Sequence, residues 1–304
     1  MTAAAGAAIA PGAAARGPGR ALPVLTVAAA LIAVWYVAAV LLNAPLVRGA
    51  WERGDVAERG PRALIEATLA MERPVLPAPH QVLAELRRTT LEVAPTSKRS
   101  LVHHAWVTVS AALLGFALGT ALGVLLAVGI VHVRTLDRAL LPWIIASQTI
   151  PILAIAPMIV VVLGAIGLTG LLPKAIISMY LCFFPVAISM VKGLRAPEPI
   201  QLELLRTWSA SRWQTFRHLR WPASLPFLLT GLKIAIAVSL VGAIVGELPT
   251  GAQAGLGARL LTGSYYGQTV QIWAALVMSS VIAALLVGVI GLVERLVLRH
   301  REPA

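Results

Sequence analysis

The stretch that decides the fold is PEPIQLELLRTWSASRWQTFRHLRWPASLP, residues 197–226, a long polar segment between two hydrophobic blocks. Pro197 and Pro199 favour a helix start, because proline suits the first turn of a helix. Apolar side chains then recur on one side of this first helix at one-turn spacing: Leu204, Leu205 and Trp208. Ser209 and Ala210 interrupt the pattern and mark a turn.

A second helix is predicted after this turn. Ser211 and Gln214 have the spacing of a capping box, in which each side chain satisfies a backbone N–H of the other. We expect Pro222 to end the helix, since the residue before a proline is pushed out of helical geometry. Its apolar residues are Trp213, Phe216 and Leu219, and its basic residues are Arg212, Arg217 and Arg220. This amphipathic hairpin is expected to project into water, either to dock on a partner or to hold its arginines on the lipid surface.

The hairpin resembles the EAA loop of permease subunits of bacterial ATP-binding-cassette (ABC) importers. That family has Glu-Ala-Ala, then Gly, then Leu-Pro, where this chain has Glu203-Leu204-Leu205, then Ser209, then Leu225-Pro226. The resemblance implies a coupling helix that sits in a cleft of a separate ATPase subunit. The residues that it assigns to coupling are Glu203, Leu204, Leu205, Trp208, Ser209, Ser211, Trp213 and Phe216. Ser209 departs from the pattern, because glycine takes a left-handed turn at lower cost.

Composition indicates that the chain is a polytopic membrane protein. Of its 304 residues 58% are hydrophobic and 12% are charged, whereas about 25% are charged in an ordinary soluble domain. The net charge of +12 comes from basic residues beside hydrophobic segments, with no motif that reads nucleic acid. The positive-inside rule explains that placement. The single cysteine, Cys182, excludes a disulfide within the chain.

An all-α fold with about six transmembrane helices is predicted, and the resemblance implies the architecture of a type I ABC importer permease. The predicted spans are residues 21–42, 106–131, 139–166, 174–191, 223–245 and 269–293. Residues 1–20 are predicted to be a disordered cytoplasmic tail and 21–304 the permease domain. Within that domain 43–105 is expected to be extracytoplasmic and 197–222 to be the cytoplasmic coupling loop. Both termini are then cytoplasmic, and the short outer loops carry only two basic residues, Lys174 and Arg259.

The third predicted span contains Pro142, Pro151 and Pro157, and Gln148 and Thr149 precede the middle proline. A broken helix at membrane depth is tolerated where its freed backbone groups face protein or a water-filled cavity. The span is therefore either a kinked packing helix or part of a pathway. Its motif TIPILAIAP, beginning at Thr149, resembles a signature of the family. We therefore interpret Gln148, Thr149, Pro151 and Pro157 as residues of the translocation pathway.

Further features of the spans have simpler interpretations. The four-residue spacing of Gly115, Gly119 and Gly123 predicts close packing of a neighbouring helix. Lys233 is expected to extend its amine to the interface, with an ion-relay role as the alternative. Glu247 is expected to be an interfacial carboxylate, with a gating or substrate role as the alternative. The sequence Gly-Leu-Gly at 255–257 resembles a family motif near the docking place of the binding protein.

No constellation for chemistry is evident. The chain has no nucleophile with a base, no metal-ligand spacing and no GxxxxGK(S/T) phosphate loop, so we expect no cofactor and no enzymatic activity. The resemblance implies a bacterial inner-membrane importer for a solute of the nitrate, sulfonate, taurine or vitamin-precursor class. It implies four partners besides the solute: a second permease copy or close paralogue, a cytoplasmic P-loop ATPase dimer, a periplasmic or lipid-anchored binding protein, and membrane lipid. The alternatives are a stand-alone channel or secondary carrier, and a membrane scaffold.

Overall fold

The computed structural model describes residues 21–54, 60–249 and 251–299 of the chain, so the predicted tail at 1–20 lies outside the described residues. Every regular element in these ranges is helical, which confirms the all-α prediction. Five of the described helices are long and apolar enough to cross a membrane, or six if one bent pair is counted as a span. The chain divides into two compact units, which meet in sequence at Pro79 and His80.

The first unit contains helices α1 (Ala21–Arg53) and α2 (Pro61–Leu69). Helix α1 continues well past the expected end at residue 42, because its buried stripe continues through Ala39, Asn43 and Val47 at four-residue spacing. The Asn43 amide bonds to this segment with both of its polar atoms: Nδ2 donates to the Leu76 carbonyl at 2.9 Å, and Oδ1 accepts from the Val75 N–H at 2.7 Å. Asn43 therefore fixes the segment after α2 against α1.

The described residues of the second unit form ten α-helices, the first of which begins one residue earlier, at Pro79. Three of the short ones are α3 (Pro79–Arg87), α9 (Arg212–Thr215) and α11 (Leu256–Tyr265). The others are α4 (Leu101–His132), α5 (Arg134–Ser147), α6 (Ile152–Ala165), α7 (Leu171–Leu194), α8 (Pro199–Thr207), α10 (Trp221–Glu247) and α12 (Thr269–Arg299). Helix α7 lies at the centre and packs along both α4 and α10.

The contact between α4 and α7 confirms the interpretation of the glycine stripe. A Cβ atom added at Gly115 would lie 2.5 Å from Ser178 Cβ, and one added at Gly123 would lie 2.9 Å from Val186 Cβ. Both distances are shorter than real side chains allow. Larger residues would therefore force these two helices apart.

A serine pair joins the three central helices by hydrogen bonds. Ser178 Oγ of α7 donates to the Ser239 carbonyl of α10 at 2.8 Å, and Ser239 Oγ donates to the Ala112 carbonyl of α4 at 2.6 Å. All three residues are buried. In a membrane, where lipid cannot bond to a hydroxyl, such interhelical bonds help to fix the packing of a bundle.

The third predicted span is two helices and not one. Helices α5 and α6 meet at 101° across a break of four residues, 148–151. Pro151 is the N-cap of α6, and its ring and missing N–H prevent the helix from continuing through it. The predicted break in this span is therefore confirmed, and it lies at Pro151.

Pro222 does not end the hairpin's second helix, contrary to expectation. The chain from Arg212 to Glu247 is one helical run, in which a π-helical segment, Phe216–Arg220, joins α9 to α10. The Trp221 N–H donates to the Phe216 carbonyl, five residues back. This wider turn relieves the clash between a proline ring and the carbonyl of the preceding turn, so the helix passes through Pro222.

Candidate functional site

The hairpin between α7 and α10 is built by capping interactions that its own sequence supplies. Helix α8 begins at Pro199, and the Glu198 N–H donates to Gln201 Oε1 at 3.1 Å. In the second helix, the predicted capping box is confirmed: the Gln214 N–H donates to Ser211 Oγ at 3.2 Å, and the Ser211 N–H donates to Gln214 Oε1 at 2.8 Å. Both helix starts are therefore fixed locally.

The turn between the two helices depends on Ser209. Its φ of 55° is left-handed, and no other non-glycine residue in the described part of the chain has a positive φ. The Ala210 N–H donates to the Leu205 carbonyl at 3.0 Å and so closes the end of α8. A left-handed conformation costs a residue with a Cβ about 1–2 kcal/mol. Serine therefore adopts here the conformation that glycine provides at lower cost.

The predicted coupling residues divide into an outward and an inward group. Trp208 is 75% exposed, Trp213 is 65% exposed and Leu204 is 56% exposed. Glu203, Ser209 and Ser211 are also exposed, whereas Leu205 and Phe216 are half-buried. Exposed aromatic and aliphatic side chains clustered on a polar hairpin indicate a surface that a partner covers.

Phe216 is the aromatic centre at the base of the hairpin. Its ring stacks on Trp213 with centroids 5.6 Å apart, lies 5.8 Å from the Trp221 ring and meets His132 of α4 edge to face at 5.3 Å. The hairpin is thus held to the ends of both α4 and α10.

A buried polar cluster lies at the other end of α10, and we call it the Glu247 cluster: His104, Thr108, Lys174, Glu247 and residues 255–257. Glu247 has no exposed surface, which corrects the expectation of an interfacial carboxylate. Thr108 Oγ1 donates to its Oε1 at 2.9 Å, and the Gly257 N–H donates to its Oε2 at 2.7 Å. Lys174 Nζ lies 3.6 Å from Oε1. A carboxylate is tolerated inside a protein when donors and a counter-charge surround it in this way.

The Gly-Leu-Gly segment supplies the remaining contacts of the cluster. The Gly255 N–H donates to His104 Nδ1 at 3.0 Å, and the Leu256 N–H donates to Thr108 Oγ1 at 2.8 Å. Since Nδ1 accepts, the His104 proton is on Nε2, which lies 3.0 Å from the Lys98 carbonyl. Gly255 has a φ of 131°, and a Cβ there would collide with the Glu247 carboxylate. Only glycine fits at this position.

Sequence reasoning identified the Gly-Leu-Gly segment but missed its partners. His104 and Thr108 are on α4, Lys174 is in the first turn of α7 and Glu247 ends α10. Up to about 150 positions therefore separate the bonded residues. The available signal was weak. It consisted of polar residues at the ends of three hydrophobic segments, and nothing in their spacing showed that they meet.

The residues predicted to line a pathway lie at and beyond the break between α5 and α6. Thr149 Oγ1 donates to the Ala146 carbonyl at 2.8 Å, and Thr149, Pro151 and Pro157 are all exposed in the single chain. Gln148 is half-buried, and its Nε2 donates to Ser147 Oγ at 3.3 Å. None of the four lines the 810 Å³ cavity between α4, α6 and α7. Their role in a pathway stays a prediction.

Lys233 differs from its expected role. Its amine forms an ion pair with the Glu294 carboxylate of α12 and does not extend alone to an interface. A basic side chain and an acidic side chain that pair between helices avoid the cost of leaving either charge alone. The pair fixes α12 against α10, the helix that continues from the hairpin.

Comparison with known proteins shows which family the chain belongs to. A family model described as binding-protein-dependent transport system inner membrane component matches residues 119–303. The chain is 34% identical over 199 residues to the riboflavin transport system permease protein of Chloroflexus aurantiacus, covering 66% of this chain and 72% of that protein. It is 33% identical over 193 residues to the formylaminopyrimidine transport permease protein of Halalkalibacterium halodurans, covering 64% and 72%.

A third relative and a solved structure extend the comparison. The chain is 29% identical over 239 residues to the taurine transport system permease protein of Escherichia coli, covering 78% of this chain and 84% of that protein. Its fold is similar to a solved structure of an amino acid ABC transporter with histidines, with a TM-score of 0.55 and 16% identity. That likeness covers 64% of this chain and 92% of the other, and concerns the fold alone.

Proposed function

Because the chain belongs to the family of binding-protein-dependent transport system inner membrane components, we propose that it works as the permease subunit of an ABC importer. One observation carries the coupling role: an exposed apolar hairpin is continuous, through one helical run, with a membrane-spanning helix. Helices transmit displacement along their length. A partner that moves the hairpin would therefore move the span.

In this proposal the hairpin is cytoplasmic and docks on a P-loop ATPase, and two ATPases serve two permease copies. Leu204 and Trp208 enter the ATPase surface, because their exposed apolar area has no partner within the described hairpin. Glu203 immediately precedes Leu204 in sequence and contributes the polar rim. Leu205, Ser209, Ser211 and Phe216 hold the hairpin's shape. ATP binding closes the two ATPases and rocks the spans, which alternates access to the pathway.

The Glu247 cluster is then extracytoplasmic. It joins the ends of α4, α7 and α10 to the Gly-Leu-Gly segment, so motion of these helices reaches that segment directly. A secreted binding protein docks on this side and delivers the solute. Relatives named for riboflavin, formylaminopyrimidine and taurine transport support a small organic solute. The break at 148–151 contributes to the pathway between the two permease copies.

The test is purification of the chain from its native membranes in mild detergent, followed by identification of the proteins that accompany it. We expect a P-loop ATPase to accompany the wild-type chain and the Trp208→Phe control, which keeps an apolar ring. Trp208→Asp should lose the ATPase while remaining in the membrane, because a carboxylate would be desolvated in the docked surface. A chain that purifies alone and transports solute after reconstitution would instead support a stand-alone channel or carrier.

A further inference from the structure

A cavity beside the hairpin has a charge pattern that the coupling role does not use. It has a volume of about 440 Å³ and lies between the end of α4 and both hairpin helices. We call it the hairpin cavity. Its basic lining residues are His132, Arg134, Arg206, Arg212 and Arg220, and no acidic residue lines it.

The four arginines have no counter-charge. Among the described residues none of them forms an ion pair, although Arg195 and Asp137 nearby do so at 2.8 Å. Arg134, Arg206 and Arg212 are exposed, and Arg220 is half-buried. Like charges around one small volume repel one another, and an anion in that volume removes the repulsion. Guanidinium groups also match the oxygens of a phosphate with paired hydrogen bonds.

An apolar cavity adjoins this basic one. It has a volume of about 240 Å³ and is lined by Val128, Trp213 and Phe216 together with His132 and Arg212. The last two residues also line the hairpin cavity, so the two volumes share a wall. The pair of cavities is therefore amphipathic, with charge on one side and hydrocarbon and aromatic surface on the other.

The position of the two cavities matches the headgroup layer of a membrane. His132 is the last residue of α4, and Arg220 immediately precedes α10. Both helices are long and apolar enough to span. Basic pockets between such helices bind anionic lipid headgroups, and tryptophan is enriched at the same level.

We propose that the hairpin cavity and its apolar neighbour bind one anionic glycerophospholipid. The phosphate lies among Arg134, Arg206 and Arg212, and the start of an acyl chain lies on Trp213 and Phe216. The inference rests on the proposed cytoplasmic position of the hairpin. It reassigns Trp213, which was predicted for ATPase coupling, to lipid contact. The bound lipid connects the end of α4 to both hairpin helices and so fixes the hairpin's angle before any ATPase docks.

The apolar neighbour decides between lipid and other anions. A free phosphate uses only the basic cavity and leaves Val128 and Trp213 without a function. An acidic surface of an ATPase also satisfies the arginines, but it has no need of the apolar cavity beside α4. An anionic lipid uses both volumes at once.

Native mass spectrometry of the purified chain, titrated with phosphatidylglycerol or phosphatidylcholine, tests the proposal. The disruptive variant is Arg134→Gln with Arg206→Gln, which removes two exposed cavity arginines. The matched control is Arg138→Gln with Arg217→Gln, which removes the same charge from exposed positions that do not line the cavity. Neither variant changes a buried residue, and circular dichroism checks that both keep their helices.

We expect one phosphatidylglycerol to be retained by the wild type and by the control, with phosphatidylcholine lost from both. The cavity variant should bind phosphatidylglycerol about 30-fold more weakly, since each basic residue near a membrane surface contributes about 1 kcal/mol. Equal retention by the two double variants would overturn the proposal. Displacement of the lipid by inorganic phosphate would assign the cavity to free anions, and displacement by the ATPase subunit would assign it to protein docking. Lipid retention is measured on the chain alone, so its failure is distinct from failure of the ATPase to co-purify.

Discussion

The two ends of α10 differ in how far the chain completes its own interactions. At the Glu247 cluster a buried carboxylate receives two hydrogen bonds and a lysine, all from this chain. At the hairpin, Trp208 and Leu204 remain exposed. The cluster is therefore complete within the chain, whereas the exposed side chains of the hairpin are covered by the ATPase in the function proposed above. Mutations at the cluster should therefore lower the folding stability of the chain. Mutations at the hairpin tip should instead weaken its binding to the ATPase.

The largest expected effect comes from removing the central carboxylate. Glu247→Leu leaves Lys174 buried without its counter-charge and should cost about 3–5 kcal/mol of folding free energy. Thermal unfolding in detergent measures the loss. The double variant Glu247→Leu with Lys174→Met removes both charges and should recover much of the stability. If the double variant is no more stable than the single one, the ion pair is not what makes the cluster complete.

A smaller loss is expected at the glycine beside that carboxylate. Gly255→Ala places a methyl group against Glu247 and forces alanine to a φ of 131°, so we expect about 2 kcal/mol of destabilisation. Gly251→Ala is the matched control, because Gly251 also has a positive φ of 58° but no atom within 4 Å of an added Cβ. The same unfolding assay compares the two. Equal destabilisation would mean that backbone strain alone, and not the collision with Glu247, makes glycine necessary at 255.

The hairpin tip should respond in the opposite way. Leu204→Ser removes exposed apolar area, so the free energy of unfolding in detergent should change by no more than about 0.5 kcal/mol. Uptake by cells, or ATPase activity of the reconstituted transporter, should fall strongly, because the apolar contact at the docked surface is lost. Ile200→Ser is the matched control, because Ile200 is also an exposed aliphatic residue of α8 and precedes the Glu-Leu-Leu motif. A loss of stability at Leu204 would show that the tip, too, is part of the subunit's own structure.

The smallest effect is a gain in stability. Ser209→Gly should stabilise the hairpin by about 1 kcal/mol, since glycine adopts the left-handed turn without the Cβ penalty. Amide hydrogen exchange near Ala210 should slow, because that N–H closes the turn by bonding to Leu205. Ser209→Ala is the control and should leave exchange unchanged or faster. Slower exchange in the alanine variant would show that the serine hydroxyl, and not the backbone angle, limits the turn.

The sequence was informative wherever an interaction was local. The capping box of Ser211 and Gln214 and the helix start at Pro199 follow from residues within one turn of each other. The stripe of Gly115, Gly119 and Gly123 could be interpreted for the same reason, since its four-residue period alone predicts a closely packed neighbouring helix. These features, with the hydrophobic segments, were enough to predict an all-helical membrane fold.

Features that depend on distant residues could not be predicted in the same way. Thr108 and Glu247 are 139 positions apart, and a polar residue at the end of a span looks the same whether it meets a partner or water. Pro151 and Pro222 each predict a helix break from the local sequence. The chain breaks at the first and continues through the second, because a π-helical turn precedes Pro222. The two prolines therefore differ in the backbone that precedes them, and the presence of proline alone does not predict which outcome occurs.

The helical run from Arg212 to Glu247 has a mechanical consequence. Its 36 residues correspond to about 54 Å of helix, so one rod reaches from the hairpin to the Glu247 cluster. If such a rod pivots by about 10° at its midpoint, each end moves by about 5 Å in opposite directions. The run contains no loop that would absorb this displacement. Under the proposed function, a push on the hairpin at one face of the membrane would therefore move the other end of the run in the opposite direction, as in a lever that pivots within the bilayer.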